Sequence, residues 1–205
     1  MTPPDLAHDR GVWTIPNLIS VLRLAGVPVF LWLLLGRDEP LAAGILFAVL
    51  GATDWVDGYI ARRFDQGSEI GKILDPVSDR VMLIAGALGL LISGDVPLWV
   101  GIVVLAREAA LSVVTLILAS AGARRIDVQW VGKAGTLALM FALPLFVLVA
   151  ELGPGAARDI IEVITWLFTI GGLLLSYYAA ARYIPMARNA LKEGRAAREA
   201  HEAAT

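Results

Sequence analysis

The residues best suited to chemistry in this sequence are four aspartates within 26 positions. Asp54 and Asp57 stand three residues apart, and Asp75 and Asp79 stand four apart. On helices, each spacing places both carboxylates of a pair on one face. Four carboxylates that face one another repel unless a cation lies between them, and hard divalent cations prefer oxygen ligands. The pattern therefore predicts a site for two Mg²⁺ or Mn²⁺ ions between two helices.

The remaining composition narrows the chemistry that such a site can perform. The sequence has no cysteine, and its two histidines, His8 and His201, lie in the terminal segments. These facts exclude thiolate nucleophiles, disulfides, cysteine-ligated zinc and a buried imidazole base. Any general base must then be a carboxylate. The alternative is that the aspartates only form ion pairs at a membrane surface, with Arg62, Arg63, Lys72 and Arg80.

The elements that must position the aspartates are membrane helices. Of the 205 residues, 58% are hydrophobic, and the mean hydropathy of +0.71 is far above that of a soluble domain. Six apolar runs are long enough to span a bilayer. They are Ile15–Leu35, Leu41–Ile60, Ile73–Ile92, Val96–Ala121, Gly132–Ala150 and Ile160–Tyr183. We therefore expect an all-α integral membrane protein with six transmembrane helices in a single domain over residues 1–205.

The placement of cations predicts the orientation. Six spans put twelve of the 17 Lys and Arg residues on the side of the termini, and only Arg37 and Arg158 on the other. By the positive-inside rule, both termini are cytoplasmic, and the aspartates lie near the cytoplasmic boundary. Residues 1–13 form a short cytoplasmic segment, and residues 185–205 form a tail that is a solvated helix, a frayed end or an anionic-lipid contact. The net charge of −2 gives no basic field for nucleic acid.

Further residues beside the aspartates are suited to a phosphate ligand. Gly58 and Ala61 follow Asp54 at helical spacing and leave space near the backbone, while Arg62 is suited to a phosphate oxygen. With these residues the sequence resembles the CDP-alcohol phosphotransferase (CDP-alcohol phosphatidyltransferase) family. The family signature is Asp-x2-Asp-Gly-x2-Ala-Arg, a short spacer, and Gly-x3-Asp-x3-Asp. Every fixed position is matched, by Asp54, Asp57, Gly58, Ala61, Arg62, Gly71, Asp75 and Asp79.

This resemblance implies a membrane enzyme that moves a substituted phosphate from a CDP-linked lipid to an alcohol and releases CMP. It implies metal ligands at Asp54, Asp57, Asp75 and Asp79. Asp79 is also the catalytic general base in this interpretation. The CDP pocket is expected to include Gly58, Ala61, Arg62, Gly71 and Asn17. The resemblance also implies a homodimer in the cytoplasmic membrane of a bacterium, with the active site facing the cytoplasm.

The first apolar run points to a branch of that family. The segment from Ile15 to Leu24 resembles the first helix of bacterial members that make phosphatidylglycerophosphate or cardiolipin from CDP-diacylglycerol. Asn17 then approaches the diphosphate or a metal, or alternatively caps the helix after Pro16. Arg23 lies one turn inside an apolar helix, where we expect a phosphate or an ion-pair partner.

The acceptor is expected to contact Lys133, Arg107 and Arg23. Arg107 lies in the middle of its apolar run, a depth that weakens its assignment as a substrate contact. Neighbours on a helix point apart, so we expect Arg107 to face an interior cavity rather than to pair with Glu108.

The start of the fifth run bears on which acceptor is used. Family members that use glycerol 3-phosphate usually resemble Gly-Lys-x-Lys-Thr-x-x-Gln there, with a second cation for the acceptor's phosphate. Here Lys133 is the one cation, and Ala134, Gly135 and Met140 occupy that neighbourhood. One cation fewer suits phosphatidylglycerol, whose attacking end is uncharged. We therefore expect phosphatidylglycerol as the acceptor, with glycerol 3-phosphate as the alternative.

Two alternatives to active phosphotransfer predict different sequence features. A small divalent-cation transporter predicts acids near the bilayer midplane and an inverted repeat. The acids here cluster at one end of the helices, and the sequence shows no repeat. A catalytically inactive scaffold of the same fold is disfavoured because all four aspartates are present.

Overall fold

The protein is all-helical throughout the part of the chain that its structure, a computed structural model, describes. That part comprises residues 14–64, 71–120 and 130–202, with side chains described for residues 14, 17–53, 74, 77–114 and 131–182. It contains six α-helices and no strand. The helices are α1 (Ile15–Leu31), α2 (Pro40–Phe64), α3 (Gly71–Ser93), α4 (Leu98–Ser120), α5 (Trp130–Glu151) and α6 (Ala156–Glu202). The predicted all-α class is confirmed.

Three stretches within the described residues are long and apolar enough to cross a membrane. They are Asn17–Gly36, Val131–Glu151 and Ala156–Arg182. α2 adds a shorter apolar stretch, Pro40–Thr53. Large apolar side chains such as Leu167 and Leu174 are exposed, as expected where lipid rather than water covers the surface. These features are consistent with an integral membrane protein.

Several helices run beyond the apolar stretches that predicted them. α2 continues to Phe64, beyond the end of its apolar run at Ile60, and includes Ala61 and Arg62, as their helical spacing from Asp54 requires. α6 continues to Glu202, so the alternative of a frayed tail is wrong up to that residue. Hydropathy marks the part of a helix that lies in lipid, whereas Ala, Arg, Lys and Leu favour helix in water as well. The apolar run therefore underestimates the length of the helix.

The start and the end of α1 have local causes. Thr14 is the N-cap, and its hydroxyl accepts a hydrogen bond from the Asn17 N–H at 3.4 Å. Near the other end, Pro28 lies inside the helix and has no N–H to donate. A π-helical turn, Trp32–Gly36, follows. The chain then reverses through Asp38, whose φ of 55° is tolerated by aspartate better than by most residues.

In the first of two compact units, Met1–Ser93, α1 packs against both α2 and α3. The buried face of α1 changes character along its length. Its N-terminal half is polar and its C-terminal half is apolar, through Asn17, Ser20, Arg23, Val27 and Phe30. At the apolar end, the rings of Phe30 and Phe47 lie 5.1 Å apart. At the polar end, the buried groups need polar partners from the neighbouring helices.

In the second unit, Gly94–Thr205, α5 and α6 form a close helix pair. A Cβ atom built at Gly135 would lie 2.8 Å from the backbone nitrogen of Ser176 and 2.9 Å from the carbonyl oxygen of Gly172. Small residues permit such close approach in membrane proteins. α4 joins α6 through a hydrogen bond of 3.1 Å from the Tyr177 hydroxyl to the Val103 carbonyl.

Candidate functional site

The eight motif residues lie on α2 and α3. Five of them occupy the C-terminal part of α2, and the other three are the first, fifth and ninth residues of α3. The backbone of α2 is helical through Asp54, Asp57 and Gly58, which the spacing argument requires. The side chains of residues 54–64, 71–73, 75 and 76 lie outside the described part. The assignments of Asp54, Asp57 and Asp75 to metals, and of Gly58, Ala61, Arg62 and Gly71 to CDP, therefore stay predictions.

The side chain of Asp79, the predicted general base, is described, and it forms an ion pair with Arg23 of α1. Arg23 Nη1 donates a hydrogen bond to Asp79 Oδ1. The Arg23 side chain is fully buried, while that of Asp79 is 25% exposed. The same Nη1 atom lies 3.5 Å from the hydroxyl of Ser78, which is also fully buried. Charge-assisted hydrogen bonds of this kind are strong and directional. α1 therefore holds the carboxylate of Asp79, while the Asp79 side chain stays partly exposed.

This contact bears on the prediction for Arg23. An ionised side chain buried among apolar helices is costly unless it is paired. The structure brings Arg23 to Asp79, in keeping with the ion-pair alternative. Its role in acceptor binding stays a prediction.

Asn17 lies on the same buried face of α1 as Arg23 and is 4% exposed. The alternative that Asn17 caps the helix is wrong, because the helix begins at Ile15 and Thr14 provides the capping hydroxyl. Diphosphate binding by the Asn17 side chain stays a prediction.

A second polar cluster lies in the unit formed by α4, α5 and α6. Arg107 and Glu108 are 5% and 2% exposed, and Arg107 Nη1 donates to Glu108 Oε1. Arg107 Nη2 donates to the hydroxyl of Thr136 on α5 at 3.1 Å. The Thr136 hydroxyl in turn donates to the Gly132 carbonyl at 3.1 Å. We call these four residues the Arg107 relay.

The expectation that Arg107 does not pair with Glu108 was wrong. The Cα–Cβ bonds of adjacent helical residues point in different directions, but the arginine side chain is long enough to bring its guanidinium to the neighbouring carboxylate. Both residues lie in an apolar helix where little water is available to solvate an isolated charge, which favours pairing. Thr136 is six residues after the first residue of α5, which corresponds to about 9 Å along the helix. The relay is therefore close to the end of α5 that carries Lys133, whose side chain is exposed.

Three polar residues of these clusters were missed by sequence reasoning, namely Ser78, Glu108 and Thr136. For Glu108 a usable signal existed, because an Arg and a Glu within one apolar run must each be neutralised. Thr136 stands three residues after Lys133, on the same side of the helix. Ser78 offered no signal beyond its position next to Asp79.

Comparison with known proteins extends over most of the chain. Residues 13–171 match the family model described as CDP-alcohol phosphatidyltransferase. The chain is 39% identical over 189 residues to a cardiolipin synthase (CMP-forming) of Streptomyces coelicolor, covering 90% of this chain and 86% of that protein. It is 33% identical over 180 residues to a putative cardiolipin synthase of Mycobacterium tuberculosis, covering 88% and 85%. It is 36% identical over 152 residues to a CDP-diacylglycerol–glycerol-3-phosphate 3-phosphatidyltransferase of Bacillus subtilis, covering 67% and 78%.

Proposed function

Since the chain belongs to the CDP-alcohol phosphatidyltransferase family, we propose that it transfers the phosphatidyl group of CDP-diacylglycerol to phosphatidylglycerol, forming cardiolipin and releasing CMP. Family membership makes the chain a phosphatidyltransferase and decides against the cation transporter considered as an alternative. The observation that carries the proposed mechanism is the ion pair of Arg23 with Asp79. It supports a single orientation for the carboxylate that we assign as the base.

The reaction uses Asp79 as follows. A hydroxyl oxygen of the acceptor attacks the phosphorus of the phosphatidyl group, and the bond from that phosphorus to the bridging oxygen breaks. CMP leaves with the electron pair of that bond, and the acceptor's proton passes to the Asp79 carboxylate. Arg23 orients the carboxylate but does not contact the reacting atoms in this scheme. The partial exposure of the Asp79 side chain, 25%, is compatible with this role.

The family is generally dependent on divalent metals, and the donor set of this chain fits such ions. The motif offers carboxylate oxygens at helical spacing, which suit Mg²⁺ or Mn²⁺. We assign two ions to Asp54, Asp57 and Asp75, with Asp79 alongside. When bound, the ions neutralise the diphosphate and lower the pKa of the attacking hydroxyl. Gly58, Ala61, Arg62, Gly71 and Asn17 complete the proposed pocket for CDP.

The choice of phosphatidylglycerol is supported by the first turns of α5. Lys133 is exposed there and is the cation that we assign to the acceptor. The position of the second lysine in glycerol 3-phosphate users is taken here by Gly135. The backbone of α6 lies so close to Gly135 that a side chain would collide with it. A second cation at this position is therefore sterically disfavoured, which suits an acceptor whose attacking end carries no phosphate dianion.

Glycerol 3-phosphate is the second candidate acceptor. It is favoured by the similarity to the Bacillus subtilis enzyme, whose name specifies that acceptor. Mass spectrometry of the products separates the two, using purified protein in detergent with CDP-diacylglycerol, Mg²⁺ and both acceptors together. Cardiolipin as the main product supports the proposal, and phosphatidylglycerophosphate as the main product contradicts it.

We further propose that the enzyme resides in the inner membrane of a bacterium, with its active site and both termini on the cytoplasmic side. The support is the excess of cations on the side of the termini. A homodimer is proposed on the family resemblance alone. Cross-linking of the purified protein in detergent tests the dimer: a monomer at all protein concentrations contradicts it.

A further inference from the structure

The Arg107 relay has a feature that a simple buried ion pair lacks. One threonine hydroxyl connects the charged pair on α4 to the backbone of α5. Thr136 donates its proton to the Gly132 carbonyl, so its oxygen lone pairs are available to Arg107 Nη2. Both partners therefore fix the hydroxyl in one orientation. The first turns of α5 are thereby joined to the side chain of Arg107.

Two other buried threonines of the same unit bond within their own helix instead. Thr165 and Thr169 of α6 are fully buried. Their hydroxyls donate to carbonyl oxygens one turn earlier in the same helix, each at 2.7 Å. These bonds satisfy the hydroxyl within one helix. Thr136 makes the same type of bond but also accepts from a charged group on α4.

A contribution to folding stability does not by itself explain why the chain contains the buried ion pair of Arg107 and Glu108. Replacing a buried ion pair with well-packed apolar residues is often neutral or stabilising. Ionisable side chains inside membrane helices more commonly serve function. The carbonyl at the end of the relay belongs to Gly132, the residue directly before Lys133. The relay therefore acts on the segment that carries the exposed cation.

We propose that Glu108 and Thr136 are positioning residues that, through Arg107, hold the first turns of α5 so that Lys133 meets the acceptor. This inference rests on the proposed function, in which Lys133 binds the acceptor. Glu108 neutralises and orients the guanidinium, and Thr136 transmits that orientation to the Gly132 carbonyl. Neither residue contacts the donor in this account. Loss of the relay should therefore weaken acceptor binding and leave donor binding unchanged.

The first test compares threonine variants by steady-state kinetics of CMP release, with donor and acceptor varied separately. Thr136→Val keeps the shape of the side chain and removes the hydroxyl. We expect it to raise the KM for the acceptor about five- to tenfold, the effect of one lost hydrogen bond. The KM for CDP-diacylglycerol should stay within about twofold. Thr136→Ser should restore the wild-type value, because it restores the hydroxyl.

Thr169→Val is the matched control, because it removes a buried hydroxyl that is bonded to its own helix. It should leave both KM values unchanged. An unchanged acceptor KM in Thr136→Val would overturn the proposal. A parallel rise of both KM values in Thr136→Val would also overturn it, since that pattern indicates a general structural defect.

Glu108→Gln provides an independent variant, which keeps the side-chain shape and removes the charge. It should raise the acceptor KM selectively, as Thr136→Val does. Because both residues act through Arg107, the double variant should show less than the product of the two single effects. Strictly multiplicative effects of the two substitutions on the acceptor KM would overturn the relay.

The wild-type assay separates a failure of the proposed function from a failure of the relay. No CMP release by the wild type with phosphatidylglycerol or glycerol 3-phosphate contradicts the proposed function, whereas normal wild-type turnover with unselective variants contradicts only the relay.

Discussion

Arg23 on α1 and Asp79 on α3 are 56 residues apart in sequence and form an ion pair in which the arginine is fully buried and the aspartate is partly exposed. This pairing gives α1 a role beyond spanning the membrane. The same helix face is polar where it meets Asp79 and apolar farther along. The fold thus separates a region that positions charge from a region that packs.

Replacing Arg23 should impair turnover more than donor binding. Arg23→Met keeps much of the length of the side chain but removes the charge that orients Asp79. We expect kcat for CMP release to fall about 10- to 100-fold, because a misplaced catalytic group loses the advantage of orientation. The KM for CDP-diacylglycerol should change less. Arg37→Met is the control, since Arg37 is exposed and lies beside Glu39. Equal kcat values for wild type and Arg23→Met would contradict the positioning role.

Asp79→Asn should abolish transfer, because an amide cannot accept the proton of the acceptor hydroxyl. The expected loss in kcat is at least about 100-fold, the usual contribution of a general base. Retention of CDP binding, measured by calorimetry, would separate this loss from misfolding. Asp38→Asn is a suitable control, because Asp38 is exposed and asparagine also tolerates its positive φ. Wild-type turnover in Asp79→Asn would remove this residue as the base.

Removal of divalent ions should stop the reaction. We expect no CMP release in excess EDTA, and recovery on addition of Mg²⁺ or Mn²⁺. Asp54→Asn and Asp57→Asn should each raise the metal concentration needed for half-maximal activity, since each removes a proposed ligand. Undiminished turnover in EDTA after exhaustive dialysis would contradict the metal assignment.

A glycine pair tests the close contact between α5 and α6. Gly135→Ala should lower the thermal unfolding temperature, because the new methyl group meets backbone atoms of Ser176 and Gly172 that have little freedom to move. Gly171→Ala is the control, since nothing lies within 4 Å of a Cβ atom there. That control should stabilise the helix by up to about 1 kcal/mol. Similar unfolding temperatures for both variants would show that the close contact is absent in solution.

The absence of cysteine makes the orientation testable with single introduced thiols. In intact spheroplasts, Glu39→Cys should react with a membrane-impermeant maleimide, because the proposal places the α1–α2 connection outside the cytoplasm. Lys192→Cys should react only after lysis. The opposite labelling pattern would reverse the proposed topology.

Sequence patterns predicted most of the fold for physical reasons that are visible in the chain. Apolar runs of membrane-spanning length locate helices, because a backbone in lipid must satisfy its own hydrogen bonds. Hydropathy alone does not mark the ends of α6 at Glu202 and of α2 at Phe64, because helix formation there does not depend on hydropathy; a solvated helix for the tail and helical spacing up to Ala61 were predicted from other features. The sequence patterns missed the π-helical turn after Pro28, whose register depends on local hydrogen bonding.

At the candidate site, spacing alone brought out the aspartates, since helical periodicity is encoded locally. The partners of buried charges were harder to predict. The contact of Arg23 with Asp79 depends on how α1 packs against α3, which no local pattern encodes. The pairing of Arg107 with Glu108 was not expected, because side chains of adjacent helical residues start in different directions. That rule ignores the length of the arginine side chain and the free-energy cost of leaving either charge unpaired in an apolar helix.

Cardiolipin synthesis is tested by the rate of CMP release by the purified protein with CDP-diacylglycerol and Mg²⁺, comparing phosphatidylglycerol with glycerol 3-phosphate as acceptors. We expect rapid release with phosphatidylglycerol and little with glycerol 3-phosphate. Release with glycerol 3-phosphate alone would contradict the assignment of the acceptor, and release with neither would contradict phosphatidyl transfer to these acceptors.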